Sequence, residues 1–169
     1  MKRLNRIKLA VHALELGGDL KRVSQFLNWK EFENMTSIAF ERNGYRVKRN
    51  FWFTTPERKW EIDVIGVKKP NVLCVDCKHR QRGVSPSSLK EIVKDQTDRT
   101  RALSESLLRY AEDIGCSKWK TIKLTPAILS LTQPRFRFYQ SVPIIGILQL
   151  QDFINQFPAY LSSIRHFTI

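Results

Sequence analysis

Cysteine is scarce, with three in 169 residues. An odd number leaves no complete disulfide framework and fits a reducing compartment. Cys74 and Cys77 stand three apart, which on a strand puts them on opposite faces, and no second pair exists to complete a zinc site. Long apolar runs are also missing. None approaches the roughly 18 residues that a membrane-spanning helix needs, so no membrane partner is expected. The basic start, Met1 to Lys8, runs into Leu9–Leu16, where His12 and Glu15 break the apolar pattern. This stretch reads as an amphipathic helix without a cleavage site, and a cytoplasmic location is expected. A Gly-rich phosphate loop is absent, which excludes a common class of nucleotide hydrolase. No Ser–His or Cys–His arrangement sits in a setting that would activate a nucleophile.

Acidic residues are few. Sixteen Asp and Glu stand against 29 Lys and Arg, a formal net charge of +13. Such an excess attracts polyanions. It is spread along the chain and not gathered on one amphipathic helix, so nucleic acid fits better than an acidic membrane. A solubilising surface is the plainer alternative. The length suits one domain with a real core.

What is present centres on Lys59–His79. Glu61, Ile62, Asp63, Val64 and Ile65 alternate acidic and apolar, the period of a half-buried strand. Pro70–Asn71 marks a turn, and Val72–Val75 runs apolar into Asp76-Cys77-Lys78. Residues two apart on a strand share a face. That pairs Glu61 with Asp63, and Asp76 with Lys78. One face of a paired hairpin would then hold three carboxylates and one ammonium. Unpaired charge is costly to bury, and a divalent cation would offset it. An ordinary cross-strand ion pair between Asp63 and Lys78 is the other reading.

In chain order, helical spacing marks two short helices before Asn28, separated by Gly17-Gly18. Residues 1–28 are therefore set apart as an N-terminal helical segment, with residues 29–169 as the main domain. The two helices read either as a helix-turn-helix or as a pair packed on the domain or on a second subunit. Trp29 to Asn43 is a helix with Phe32, Met35, Ala39 and Phe40 facing inward and Gly44 closing it. Glu33 borders that stripe, while Glu31 and Glu41 read as solvated. Tyr45–Thr54 has strand character. Ser85-Pro86 opens a long helix whose buried face runs through Leu89, Ile92, Val93, Gln96, Thr100, Leu103, Leu107, Leu108 and Ala111 as far as Gly115. Lys120–Leu131 and Val142–Leu150 hold further strands, and a helix runs to Tyr160. Arg135 to Tyr139 mixes cations with aromatics. Phe136 and Phe138 read as core, with the arginines outside.

Phe32-Glu33 early in a helix, Gly44-Tyr45 closing it, then Glu61-Ile62-Asp63-Val64-Ile65 and Asp76-Cys77-Lys78, resemble the PD-(D/E)xK nuclease superfamily and, within it, the Mrr-like restriction endonucleases. The resemblance is clear from Trp29 to about Arg82 and fainter beyond. Two positions depart from it. Ile62 stands where a proline is common, and Asp76 stands where many Mrr-like members have Gln.

The resemblance implies an α/β fold: a restriction-endonuclease-like mixed central sheet flanked by helices. It implies a DNA endonuclease using Mg²⁺ or Mn²⁺, ions that prefer carboxylate, carbonyl and water oxygens. Glu33, Asp63, Asp76 and Lys78 would be catalytic. Asp63, Asp76 and the Cys77 carbonyl would bind metal, with Glu33 directly or through water. Lys78 would orient or help deprotonate the attacking water. Glu61 and Gln96 would support the site from behind. Arg80, Arg82, Lys94 and Arg99 would contact phosphates, although Lys94 and Arg99 could instead pair with acids on their own helix. Cleaving both strands of a duplex implies a homodimer. A resolvase of branched DNA and a nucleic-acid-binding module without cleavage are the alternatives.

Overall fold

The computed structural model describes residues 9–10, 12–13, 16–18, 22–23, 28–78, 86–132 and 134–169. The expected helix pair before Asn28 falls largely outside these residues.

Helix α1 (Trp29–Arg42) begins where Asn28 accepts from the Glu31 amide at 2.9 Å and Glu31 accepts from the Asn28 amide at 2.9 Å. This reciprocal cap satisfies two orphan donors. It also corrects the expectation for Glu31, which is buried and not solvated. Asn43 and the left-handed Gly44 (φ 76°) end the helix and turn the chain into β1 (Arg46–Thr54). Strands β2 (Lys59–Lys68) and β3 (Asn71–Lys78) form the expected hairpin around Lys69-Pro70.

The long helix expected next is two: α2 (Pro86–Glu105) and α3 (Leu107–Ile114). The Ser106 hydroxyl bonds back to the Ala102 carbonyl at 2.7 Å, competing with the helical ladder. Leu103, Leu107, Ala111 and Ile114 keep the buried phase across the break, and Leu108, one residue off it, is 92% exposed and not part of the buried face. Strands β4 (Lys123–Ser130), β5 (Phe138–Tyr139) and β6 (Val142–Gly146) follow. Helix α4 (Leu150–Tyr160) and the short β7 (Phe167–Thr168) complete the chain.

Seven strands form one sheet in the order β1-β2-β3-β4-β6-β5, with β7 beside β4. Pairing is antiparallel from β1 to β3, parallel for β3–β4 and β4–β6, and antiparallel again for β5–β6 and β4–β7. The β3-to-β4 crossover carries α2 and α3. The sheet is therefore mixed, with helices on both faces, as expected. Phe136 and Phe138 do not join its core; both are partly solvent-exposed.

Two apolar layers hold the sheet. On one face, Phe32 and Phe40 of α1 and Phe153 and Phe157 of α4 pack on Val64, Leu73, Val75, Cys77 and Leu129. On the other, Ala102, Leu103 and Leu107 pack on Ile62, Ile65, Val67, Val72 and Cys74. Cys74 and Cys77 thus face opposite layers, as their spacing requires. Helix α1 approaches closely because Gly66 lies under Phe40; a Cβ there would sit 2.8 Å from the ring.

The pleat breaks at one place. Ile62 belongs to the α2/α3 layer and Val64 to the α1/α4 layer, although residues two apart in a regular strand share a face. Opposite them, Arg49↔Val64 and Phe51↔Ile62 are paired, and the register skips Asn50 and Asp63 between them. Asn50 has φ 48°, the left-handed region that Asn tolerates best after Gly. The expectation that Glu61 and Asp63 share a face through simple alternation therefore fails, because the strand turns over at Asp63.

Candidate active site

The turnover leaves Asp63 aimed along the sheet at β3. The β2–β3 register runs from Lys68↔Asn71 to Val64↔Val75. Beyond it the Asp63 carboxylate takes the place of a backbone acceptor, and the Cys77 amide donates to its Oδ2 at 2.8 Å. Asp76 and Lys78 alternate with Val75 and Cys77, so they face α2. There the Arg99 guanidinium donates to Asp76 Oδ1 at 2.9 Å, and Lys78 Nζ lies 2.8 Å from Asp76 Oδ2. The lysine contact is a charge contact outside hydrogen-bond geometry, so Oδ2 is buried with no donor directed at it. A buried carboxylate oxygen in that condition is unusual.

Gln96 is fully buried beneath this cluster. Its Nε2 donates to the Cys74 carbonyl at 2.7 Å, and its Oε1 accepts from Arg99 at 3.2 Å. It thereby ties the arginine to the strand. Glu33 is also buried, on α1, and reaches Asp63 from the opposite face of the sheet. Burial is the largest influence on Asp63, raising its carboxyl from 3.8 to about 6. The Cys77 amide opposes that, the charges of Asp76 and Glu33 reinforce it, and Arg99 opposes it.

The structure therefore brings Asp63, in the middle of β2, together with Asp76 and Lys78 at the end of β3, and the charge of Glu33 acts on Asp63. The three carboxylates do not converge on one point. Among the described residues no three acidic, His or Cys side chains form a ready metal cluster. The reason is geometric: Asp76 and Glu33 arrive from opposite faces, and two cations already hold Asp76. Glu61 is half-buried on β2. Lys94 pairs with Asp98 at 2.9 Å, the same-helix reading. Arg99 turns instead to Asp76, a partner that sequence reasoning missed. Its position three residues after the buried Gln96, on a shared helix face, was the available signal. Arg80 and Arg82 lie outside the described residues.

The donor set suits a hard divalent cation. It offers carboxylate and carbonyl oxygens, one buried oxygen that has the Lys78 charge 2.8 Å away but no hydrogen bond, and an aspartate whose charged form is destabilised first by burial and then by two neighbouring acids. Cys74, pushed up to about 12 by burial, and Cys77, raised well above its ordinary value by burial, are protonated thiols and poor ligands.

The mixed sheet flanked by helices is consistent with a restriction-endonuclease-like fold. Residues 24–104 match the family model Mrr_cat, restriction endonuclease, in agreement with an Mrr-like fold for that segment. The chain is 25% identical over 136 residues to an uncharacterized protein of Archaeoglobus fulgidus, covering 80% of this chain and 96% of that one. It is also similar to the crystal structure of protein VC1899 from Vibrio cholerae, with TM-score 0.48 and 13% identity over 84% of this chain; it spans only 36% of that chain. No helix among the described residues is long and apolar enough to cross a membrane.

Proposed function

We propose that this protein is a metal-dependent DNA endonuclease, cytoplasmic and acting as a homodimer when both strands are cut. The family match supports a nuclease in general. The observation that carries the finer reading is Asp76: a buried carboxylate with one oxygen lacking a donor, beside Asp63 and Lys78, in a chain of charge +13.

Asp63, Asp76 and the Cys77 carbonyl would hold Mg²⁺ or Mn²⁺, with Glu33 completing the set directly or through water. The ion supplies Lewis-acid stabilisation of charge on the phosphate and a lowered pKa for bound water. In the hydrolysis a water oxygen forms a bond to phosphorus as the bond to the leaving sugar oxygen breaks, and that oxygen gains a proton. Lys78, beside Asp76 and partly exposed, would orient the attacking water, whose proton is released to solvent. Gln96 fixes Arg99, and Arg99 fixes the plane of the Asp76 carboxylate. Arg80 and Arg82 extend the positive surface toward flanking phosphates.

The test is cleavage of supercoiled plasmid with Mg²⁺ or Mn²⁺. Wild type is expected to nick, and both EDTA and Asp76→Ala to abolish nicking. Cleavage that survives Asp76→Ala would overturn the assignment. Salt-sensitive DNA binding without cleavage in any metal would favour the binding module.

A further inference from the structure

On the α1 side of the sheet, away from Lys78 and Arg99, a cleft of about 650 Å³ runs between the start of α1 and the edge strand β1. Trp29, Lys30 and Glu33 line it from the helix, and Lys48, Arg49 and Asn50 from the strand. Glu33 is buried, whereas Lys30, Lys48 and Arg49 are exposed and Trp29 is 41% exposed. Arg49 donates to Asn34 of α1, which pins its guanidinium against the cleft. Asn50 falls opposite Asp63 where the pleat breaks. One end of the cleft therefore meets the candidate active site.

We propose that this cleft binds an unpaired DNA strand leading to or from the bond that is cut. Lys30 and Arg49 would contact phosphates, with Trp29 stacking on a base. The inference rests on the nuclease reading above and adds the path and form of the substrate. Four features carry it. Cations line a concave surface that leads to the acids, as backbone binding requires. The volume lies in the range of ordinary ligand sites, roughly 300–1,000 Å³, which suits a nucleotide-sized length of strand and not a duplex. The cations also lie on both sides of the sheet, Lys78 and Arg99 toward α2, and Lys30 and Arg49 toward α1; Lys48, paired with Ile65 of the α2/α3 layer, points to the other face of the edge strand. A strand touching both groups must bend sharply around the end of β3. An unpaired strand does this readily, whereas duplex DNA resists bending over so short a length. An exposed tryptophan beside a basic track is a stacking platform for single strands.

The experiment is fluorescence anisotropy in EDTA over a range of salt, with labelled oligo-dT and a labelled hairpin duplex. Lys30→Gln is expected to reduce the salt slope for oligo-dT by about 0.7. Trp29→Ala is expected to weaken oligo-dT binding by about five- to a hundredfold with an unchanged slope. Trp29→Phe should restore most of that loss, which a folding defect would not allow. Duplex binding should be insensitive to Trp29→Ala. If all variants bind oligo-dT as wild type does while wild type still nicks plasmid, this inference fails and the nuclease reading stands. Equal losses on duplex and oligo-dT would overturn the choice of an unpaired strand. A wild type that binds neither oligonucleotide and cuts nothing overturns both.

Discussion

Asp63→Asn should stabilise the metal-free protein, although it removes a candidate metal ligand. In the fold the Asp63 carboxyl is raised from 3.8 to about 6, first by burial, then by Asp76 and Glu33. Between those pH values the folded protein holds a proton that the unfolded chain has released. Stability therefore falls as pH rises from about 4 to about 6, and above that the penalty stays constant. A displacement of this size corresponds to about 3 kcal/mol at pH 7.5. Asparagine removes the charge and keeps an acceptor for the Cys77 amide, which now donates to Oδ2. Allowing about 1 kcal/mol for the weaker neutral hydrogen bond, the gain should be about 2 kcal/mol. Urea unfolding in EDTA at pH 4 and pH 7.5 measures it: a gain at the higher pH, little at the lower. Adding Mg²⁺ should raise the stability of wild type and leave the variant nearly unchanged, since a ligand stabilises only the state that binds it. A variant less stable than wild type at pH 7.5, or equally shifted at both pH values, would refute the account of Asp63.

Two further outcomes follow from neighbouring contacts. Arg99→Ala removes one of the two cations on Asp76; it should cost about 1–3 kcal/mol in unfolding experiments. It should also strengthen Mn²⁺ binding on the order of tenfold by calorimetry, because a competing charge has gone. Gly66→Ala places a Cβ 2.8 Å from the Phe40 ring; pushing α1 outward should cost about 1–3 kcal/mol in thermal melts.

Much of this architecture was legible because periodicity and turn chemistry agreed. The strand character of Glu61–Ile65, the apolar run Val72–Val75 and the Gly44 helix end each predict what the structure contains. Three features were not legible, for identifiable reasons. The pleat break at Asp63 depends on the left-handed Asn50 in a neighbouring strand, and strict alternation cannot anticipate it. The exposure of Leu108 follows from Leu107 taking the buried position between Leu103 and Ala111, a choice between adjacent leucines that apolar spacing alone does not make. Arg99 stood among Asp95, Asp98 and Glu105, where same-helix pairing satisfies it equally well. Only the docking of α2 on β3 brings Asp76 within reach. In the site, the nearness of Asp63, Asp76 and Lys78 was readable from the hairpin, and the partition of the acids between two sheet faces was not.

The strand β1 ends the sheet, with β2 as its one partner in the strand order. Such a rim can recruit a strand from another molecule and seed aggregation. Here it carries Arg46, Lys48 and Arg49, all exposed. Two copies meeting edge to edge would set like charges against each other, so a homodimer should form through another surface. The same cations deter self-adhesion while unbound and become neutralised when a polyanion lies along them. Concentrated protein should accordingly stay dispersed at low salt, with the rim protected by the residues that leave it open to substrate.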